Sequence, residues 1–305
     1  MIKIILSLIY YGSYFIFPLI FLLIWQVKKR KKFSTEIVFL LIISFIFIWM
    51  RFLEPNLLII KNYNFNDQNS ENKLKVVVVS DIHLGVYNKK ILLERSVEKI
   101  KKIKPDLVLI PGDFVYFADI DKLEQDFSIL KEIKVPKLAV LGNHDYDKNS
   151  NITSRAIKSS LEKNGVLIID NKTKILEINE QKIEFIGLED IWVANPNYSV
   201  LDKNEDENQN ISFRFLLSHN PDSIYELEKN QNKKEINLMI SGHTHAGQIR
   251  LPIVYKKIIP TEYDFDKGFY SINGINLFVT PGIGNVALPF RLFNPPEISV
   301  ININY

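Results

Sequence analysis

The sequence predicts an α/β fold of two packed sheets with helices outside, preceded by a membrane-spanning helical hairpin. Three observations predict it. From Leu74 onward, short β-rich apolar runs alternate with charged, helix-like segments, as buried strands do in a layered α/β domain. Toward the C-terminus, in the run ending at 300–303, the segments become more purely β. Two long apolar runs crowd the first 53 residues. The chain has 305 residues, 47% of them hydrophobic and 24% charged, which suits one large domain plus a smaller element.

The N-terminal runs come first. Residues 4–25 contain no charge, and 22 residues span a bilayer as a helix. The run is too long, and too weakly basic before it, for a cleaved signal peptide. The second run, 37–50, reaches Leu53 if Arg51 snorkels toward the interface. Helices over 4–25 and 37–53 make residues 1–60 a membrane anchor. Between them lies Lys28-Lys29-Arg30-Lys31-Lys32, whereas the outer flanks offer only Lys3 and Arg51. The positive-inside rule places that loop in the cytoplasm and both ends outside. The expectation is a multi-pass protein of the cell (inner) membrane with an extracytoplasmic catalytic domain. A second run that lies on the membrane instead of crossing it would reverse this orientation.

Residues 61–73 are polar and Asn-rich, which reads as a linker lifting a 74–305 domain off the membrane. A second polar stretch, 195–210, reads as a surface loop. Candidate strands are 75–79, 107–110, 137–141, 182–186, 213–217, 236–240 and 275–280, with amphipathic helices over 89–103 and 121–133.

Charge and composition narrow the function. Residues 1–73 hold nine of the 38 basic and four of the 35 acidic residues, so the remainder has 29 against 31 and a net charge of −2. That domain lacks the basic footprint of nucleic-acid binding, so no nucleic-acid partner is expected. There is no cysteine, which excludes disulfides, thiolate metal sites and cysteine nucleophiles.

Five hydrophobic strands end in turns bearing Asp, Asn or His: Ser80-Asp81-Ile82-His83, Pro111-Gly112-Asp113, Gly142-Asn143-His144-Asp145, Ser218-His219-Asn220 and Ser241-Gly242-His243-Thr244-His245. Ligand sites in α/β proteins gather at the carboxyl ends of strands. Taken singly, each residue is a common cap or turn residue. Jointly they take up all five histidines of the chain. Imidazole, carboxylate and amide donors without sulfur suit divalent transition metals. Asp81 with His83, and His243 with His245, stand two apart on extended segments and can face one ion. Seven candidate ligands are too many for one ion, and a pair sharing a carboxylate is the simplest arrangement.

The ordered set D-x-H, GD, GNHD, H and GHxH, present as SDIHLG, PGDF, LGNHD, SHN and SGHTH, resembles the calcineurin-like metallophosphoesterase superfamily. The strings GHTHAGQIRLP and TPGIGNVALPFRLFNPPEI further resemble its membrane-linked branch of YkuE- and YaeI-type phosphodiesterases. The resemblance implies a four-layer α/β/β/α sandwich and two divalent metal ions (Mn, Fe or Zn). It implies one ion on Asp81, His83, Asp113 and His245, and a second on Asn143, His219 and His243 with Asp113 bridging. His144 would be a general acid or positive charge at the leaving group, with Asp145 orienting it. No protein nucleophile is required, because the two ions would acidify the attacking water. Gln248 and Arg291 are candidate substrate contacts, and Glu189-Asp190 stays undecided between site and surface. The expected partners are the lipid bilayer and a lipid-linked or small phosphodiester. UDP-2,3-diacylglucosamine, small nucleotides and a non-catalytic scaffold role are the alternatives.

Overall fold

The computed structural model describes residues 1–30, 34–66, 72–87, 90–146, 154–202, 210–228, 233–253 and 255–305. Lys31 and Lys32 of the basic loop, 67–71 of the polar stretch and 203–209 of the predicted surface loop lie outside the described residues. Helix α1 runs Ile2–Lys29 and α2 runs Thr35–Asn56, both long and apolar enough to cross a membrane. The last turns of α2 loosen into π geometry over Trp49–Leu53. Arg51 does not snorkel outward. It is buried, its Nε donates to Ser13 Oγ at 2.9 Å, and its guanidinium stacks 4.2 Å above the Tyr10 ring. A guanidinium between two apolar helices needs those partners, and the first helix supplies them.

Strands are numbered in chain order. The first sheet has the order β1 (Ile59–Asn66), β14 (Glu297–Asn304), β2 (Lys73–Val78), β4 (Leu107–Pro111), β6 (Lys137–Val140), β7 (Leu167–Ile168). The second has β12 (Gly268–Ile272), β13 (Ile275–Val279), β11 (Leu238–Ser241), β10 (Phe213–Leu217), β9 (Gln181–Gly187), β8 (Lys172–Ile178). A short ladder pairs β3 (Leu84–Gly85) with β5 (Val115–Tyr116). In the first sheet β2, β4, β6 and β7 run parallel to one another, and β14 with its parallel neighbour β1 runs against them; in the second, β9, β10, β11 and β13 run parallel and the antiparallel strands β8 and β12 flank them.

Three apolar layers explain the stacking. Val76, Val78, Leu107, Leu109, Leu138 and Val140 of the first sheet meet Phe185, Phe213, Phe215, Leu217 and Ile240 of the second. The alternate residues Val77, Val108, Ile110 and Ala139 face helices α3 (Lys90–Ile103) and α5 (Ser154–Lys163), through Leu93, Val97, Ile100, Ile157 and Leu161. This period-two alternation of fully apolar strands is what burial on both faces requires. The outer face of the second sheet is covered by loops and the short helix α6 (Ile224–Glu228), with Ile224, Leu227 and Phe265 buried there. The helix predicted over 121–133 is mostly 3-10 turns around a four-residue α4 (Leu123–Asp126), although Leu123, Phe127 and Leu130 still face the core.

The predicted linker needs correction. Residues 61–66 belong to β1, an edge strand that runs parallel to β14 from Ile59↔Glu297 to Asn66↔Asn304. The domain therefore starts at Ile59 and not at Leu74. Tyr63 and Phe65 alternate with Asn62, Asn64 and Asn66, and the two rings pack on Phe278 at 4.8 Å and Phe269 at 5.8 Å. An edge strand with one apolar face has this composition.

Candidate metal centre

The five motif-bearing turns follow β2, β4, β6, β10 and β11, and the parallel order of those strands brings their carboxyl ends to one cleft between the sheets. Asp81, His83, Asp113 and His245 are all buried there, with their ligand atoms within 4.8 Å of one another. His83 Nε2 lies 2.9 Å from His245 Nε2 and 3.4 Å from Asp113 Oδ2, and His245 Nε2 lies 3.3 Å from Asp81 Oδ1. Alongside is a second group. Asn143 Oδ1 lies 3.0 Å from His243 Nδ1 and 3.2 Å from His219 Nε2, and those two nitrogens are 3.2 Å apart. Asp113 Oδ2 is also 3.2 Å from His219 Nε2, so one oxygen borders both groups.

These residues fit a pair of divalent ions. Ligand atoms about 2.0–2.2 Å from an ion stand about 3.0–3.5 Å from one another, which matches the spacings above. His219 Nδ1–H donates to the Pro111 carbonyl at 2.7 Å, leaving the Nε2 lone pair for the cleft. Burial drives the imidazoles of His83 and His243 down to about 3, and that of His245 well below its usual value. They therefore present lone pairs and no charge. Burial also pushes the Asp81 carboxyl up to about 7, a cost that a neighbouring cation removes. For Asp113, burial is outweighed by His219, His144 and His83, which hold it well below the usual carboxylate range. Burial alone would lower His219, but Asp113, Asp81 and Asp190 together raise it to about 10, so without a cation a proton takes the Nε2 position that an ion would occupy.

The backbone is strained where the ligands sit. Asp81, His83, Asp113, His243 and His245 all have positive φ, between 46° and 70°, a costly region for residues with a Cβ. Two glycines let the turns close. A Cβ on Gly142 would stand 2.6 Å from the Asp113 nitrogen, and one on Gly242 would stand 2.6 Å from Asp81 Oδ2. His144 is half-buried, and its N–H donates to Asp113 Oδ1 at 2.9 Å. Its ring lies edge-on to His83 and Tyr116, at 5.0 and 5.1 Å.

Three expected roles are corrected. Asp145 does not orient the His144 ring. Its Oδ1 accepts from the N–H groups of Phe114 (2.8 Å) and Val115 (3.1 Å), and its Oδ2 accepts from Gly142 N–H (2.9 Å). It clamps two ligand turns together. Arg291 is fully buried, with Nε on Asn285 Oδ1 (3.1 Å) and its Nη atoms on the carbonyls of Asn294, Gly284, Gly282 and Pro281. It holds the 281–285 turn behind Asp81 and cannot meet substrate. Gln248 borders the cavity, but its amide is spent on the backbone of 286–288, donating to Val286 and Leu288 carbonyls and accepting from Val286 N–H.

The undecided pair splits. Glu189 accepts from Asn171 Nδ2 and lies 3.6 Å from Lys158 Nζ. Asp190 is fully buried and caps the turn carrying Trp192, accepting its N–H at 2.9 Å. Trp192 was not singled out by the sequence, yet its ring meets His243 edge-on at 4.3 Å. Asn294 is another such residue, donating Nδ2–H to the His245 carbonyl at 2.7 Å. Only the string around Asn294 carried a signal, and it named no side chain. Above the ligands lies a cavity of about 360 Å³, walled by Trp192, Ile249, Ile258, Pro260 and the 286–288 strand of backbone.

Comparison with known proteins agrees with this geometry. The calcineurin-like phosphoesterase family model matches residues 74–247. The metallophosphoesterase YkuE of Bacillus subtilis is 29% identical over 265 residues, covering 84% of this chain and 88% of that protein. Phosphodiesterase YaeI of Escherichia coli is 25% identical, covering 75% of this chain and 82% of its own. A transmembrane protein with a metallophosphoesterase domain from Danio rerio is 28% identical, covering 76% of this chain and 53% of its own. The convergence of seven candidate ligands from five strand ends, and the match across them, have one meaning: the chain belongs to the calcineurin-like phosphoesterase family, a metal-dependent phosphoester hydrolase with a two-metal centre.

Proposed function

We propose that the chain is a membrane-anchored phosphodiesterase that cleaves a phosphodiester or pyrophosphate in a lipid-linked substrate. The observation that carries this reading is the cavity. Its floor is the ligand cluster, while Trp192, Ile249, Ile258 and Leu288 make its walls apolar, and the chain begins with two apolar helices. A phosphate site with apolar walls suits a ligand whose charged group continues into hydrocarbon. Tethering beside the bilayer raises the effective concentration of such a substrate.

In this reading Asp81, His83, Asp113 and His245 would hold one ion, and Asn143, His219 and His243 the other, both beside the Asp113 carboxylate. When bound, the two ions supply Lewis acidity toward the phosphoryl oxygens and acidify the attacking water. His144, at the cavity floor, gives a proton to the departing oxygen or offsets its charge. The anchor spans a cell (inner) membrane with its basic loop in the cytoplasm, which puts the hydrolase domain on the extracytoplasmic side.

The test uses the full-length chain in nanodiscs with manganese. Phosphatidylglycerol-type lipids, a UDP-diacylglucosamine analogue and bis-p-nitrophenyl phosphate are compared. Faster turnover of a lipid phosphate than of the water-soluble diester is expected. Turnover of the soluble diester alone contradicts the lipid reading.

A further inference from the structure

The rim of the metal cavity is fastened to the anchor. Phe290 packs on Phe47 of α2 at 5.4 Å, Arg291 N–H donates to the Met50 carbonyl at 3.0 Å, and Asn294 N–H donates to Glu54 Oε1 at 2.5 Å. The same strip is bonded on its other side to the segment after His245. Arg250 N–H donates to the Leu292 carbonyl (2.9 Å), and Leu292 N–H to the Gln248 carbonyl (3.1 Å). From these segments Ile253 projects 83% exposed and Phe293 66% exposed, with Leu251 and Leu288 also exposed beside them. Lys256 and Lys257 are exposed next to Ile253.

The depth of this rim follows from the helices. Phe47 precedes Leu53 by six residues, about 9 Å along a helix, so Phe290 sits well within the level of the apolar end of α2. Helix α1, with 28 residues, is about 42 Å long and exceeds a hydrocarbon core of about 30 Å. Its excess lies against the domain. Leu6 packs with Tyr87, Tyr116 and Phe117, Tyr10 stacks on Tyr87 at 5.6 Å, and Tyr87 OH donates to the Ala287 carbonyl at 2.9 Å. The outward residues of those same turns, Ile4 and Leu8, are apolar and about two-thirds exposed (65% and 67%). Lipid must reach that level to cover them, and the cavity rim stands at the same level. Apolar loop tips flanked by lysines are the composition that inserts at a lipid interface.

We infer that Leu251, Ile253, Leu288 and Phe293 form a lip that dips into the bilayer holding the anchor, so that the metal cavity opens at the lipid surface. The inference rests on the membrane-anchored reading and deepens it. A head group then reaches the ligands while its acyl chains stay among the rim side chains.

The absence of cysteine makes single-Cys labelling clean. A nitrobenzoxadiazole label is placed at Ile253→Cys, Phe293→Cys, Phe45→Cys on α2 and Lys182→Cys on β9, in the full-length chain. The protein is reconstituted in phosphatidylcholine–phosphatidylglycerol vesicles containing nitroxide-labelled lipid. Quenching at 253 and 293 of at least half that at 45, with little at 182, is expected. Quenching at 45 alone overturns the lip and leaves the anchor standing; shielding of 253 and 293 from both lipid and aqueous quenchers assigns the surface to a protein partner and also overturns it. No quenching at 45 removes the anchor reading and the lip together. None of these results depends on which phosphoester is hydrolysed, so failure of the lipid-substrate assay is a separate outcome.

Discussion

Residues His144 and Asp145 are neighbours in the chain, and the structure separates their work. The His144 ring lines the cavity, and its bond to Asp113 comes from the backbone N–H, so its loss removes a proton donor and leaves the ligand cluster intact. His144→Ala is expected to lower kcat by about 10²–10⁴ while the metal content per chain, measured by mass spectrometry, is unchanged. Asp145 carries three backbone N–H groups in a fully buried position. Burial, with the Asp113 charge adding, pushes its carboxyl well above the usual range, and the Gly142 and Val115 N–H groups oppose that. Asp145→Ala leaves those donors without an acceptor and is expected to cost about 3 kcal/mol, read as a lower midpoint in urea. A loss of turnover with unaltered stability would instead restore a direct part in catalysis. The residue types were legible in the sequence, but their separate roles depend on which way each side chain leaves a four-residue turn. The positive φ values at Asp81, His83, Asp113, His243 and His245 were equally invisible, since propensity would place glycine there.

At the scale of elements, the strands that carry ligands were readable because burial on both faces makes them continuous apolar runs. Edge strand β1 was not, since its solvent face supplies the asparagines that read as a linker. The alternation of Tyr63 and Phe65 with asparagine was the signal available. The consequence is practical. Tyr63 OH donates to Glu297 Oε1 at 2.8 Å, and removing β1 exposes Phe278 and the length of β14. A soluble form starting at Leu74 is expected to be less stable by about 3 kcal/mol, or about 10 °C in melting temperature, than one starting at Leu58. Equal melting temperatures would show that β1 is dispensable. The 121–133 segment differed otherwise: its apolar spacing is helical and Leu123, Phe127 and Leu130 still face the core, yet most of its turns are 3-10.

For the whole molecule, the two N-terminal apolar helices and the metal centre form one mechanical unit. Glu54, buried at the end of α2, accepts from Trp49 Nε1 and from Asn294 N–H, and the Asn294 amide holds the carbonyl of His245. Outer-shell partners of this kind tune metal affinity by about 10–100-fold. Glu54→Ala is expected to weaken one of the two bound ions about tenfold, measured by manganese titration of the apoprotein, and Glu54→Gln to weaken it less. Equal affinities in all three proteins would reduce this line of bonds to packing. The sequence separated anchor and domain by charge and apolar content, and nothing in it showed that a residue of one supports a ligand of the other, 191 positions away.

The measurement that bears most directly on the two-metal centre is metal content and turnover of the Asp113→Ala protein beside the parent chain. Asp113 Oδ2 borders both ligand groups, at 3.4 Å from His83 Nε2 and 3.2 Å from His219 Nε2. The parent is expected to bind two divalent ions per chain, to lose activity on chelation and to regain it with manganese. Asp113→Ala is expected to lose both ions and all turnover of bis-p-nitrophenyl phosphate. Two ions and normal turnover in that variant would contradict the shared-carboxylate centre.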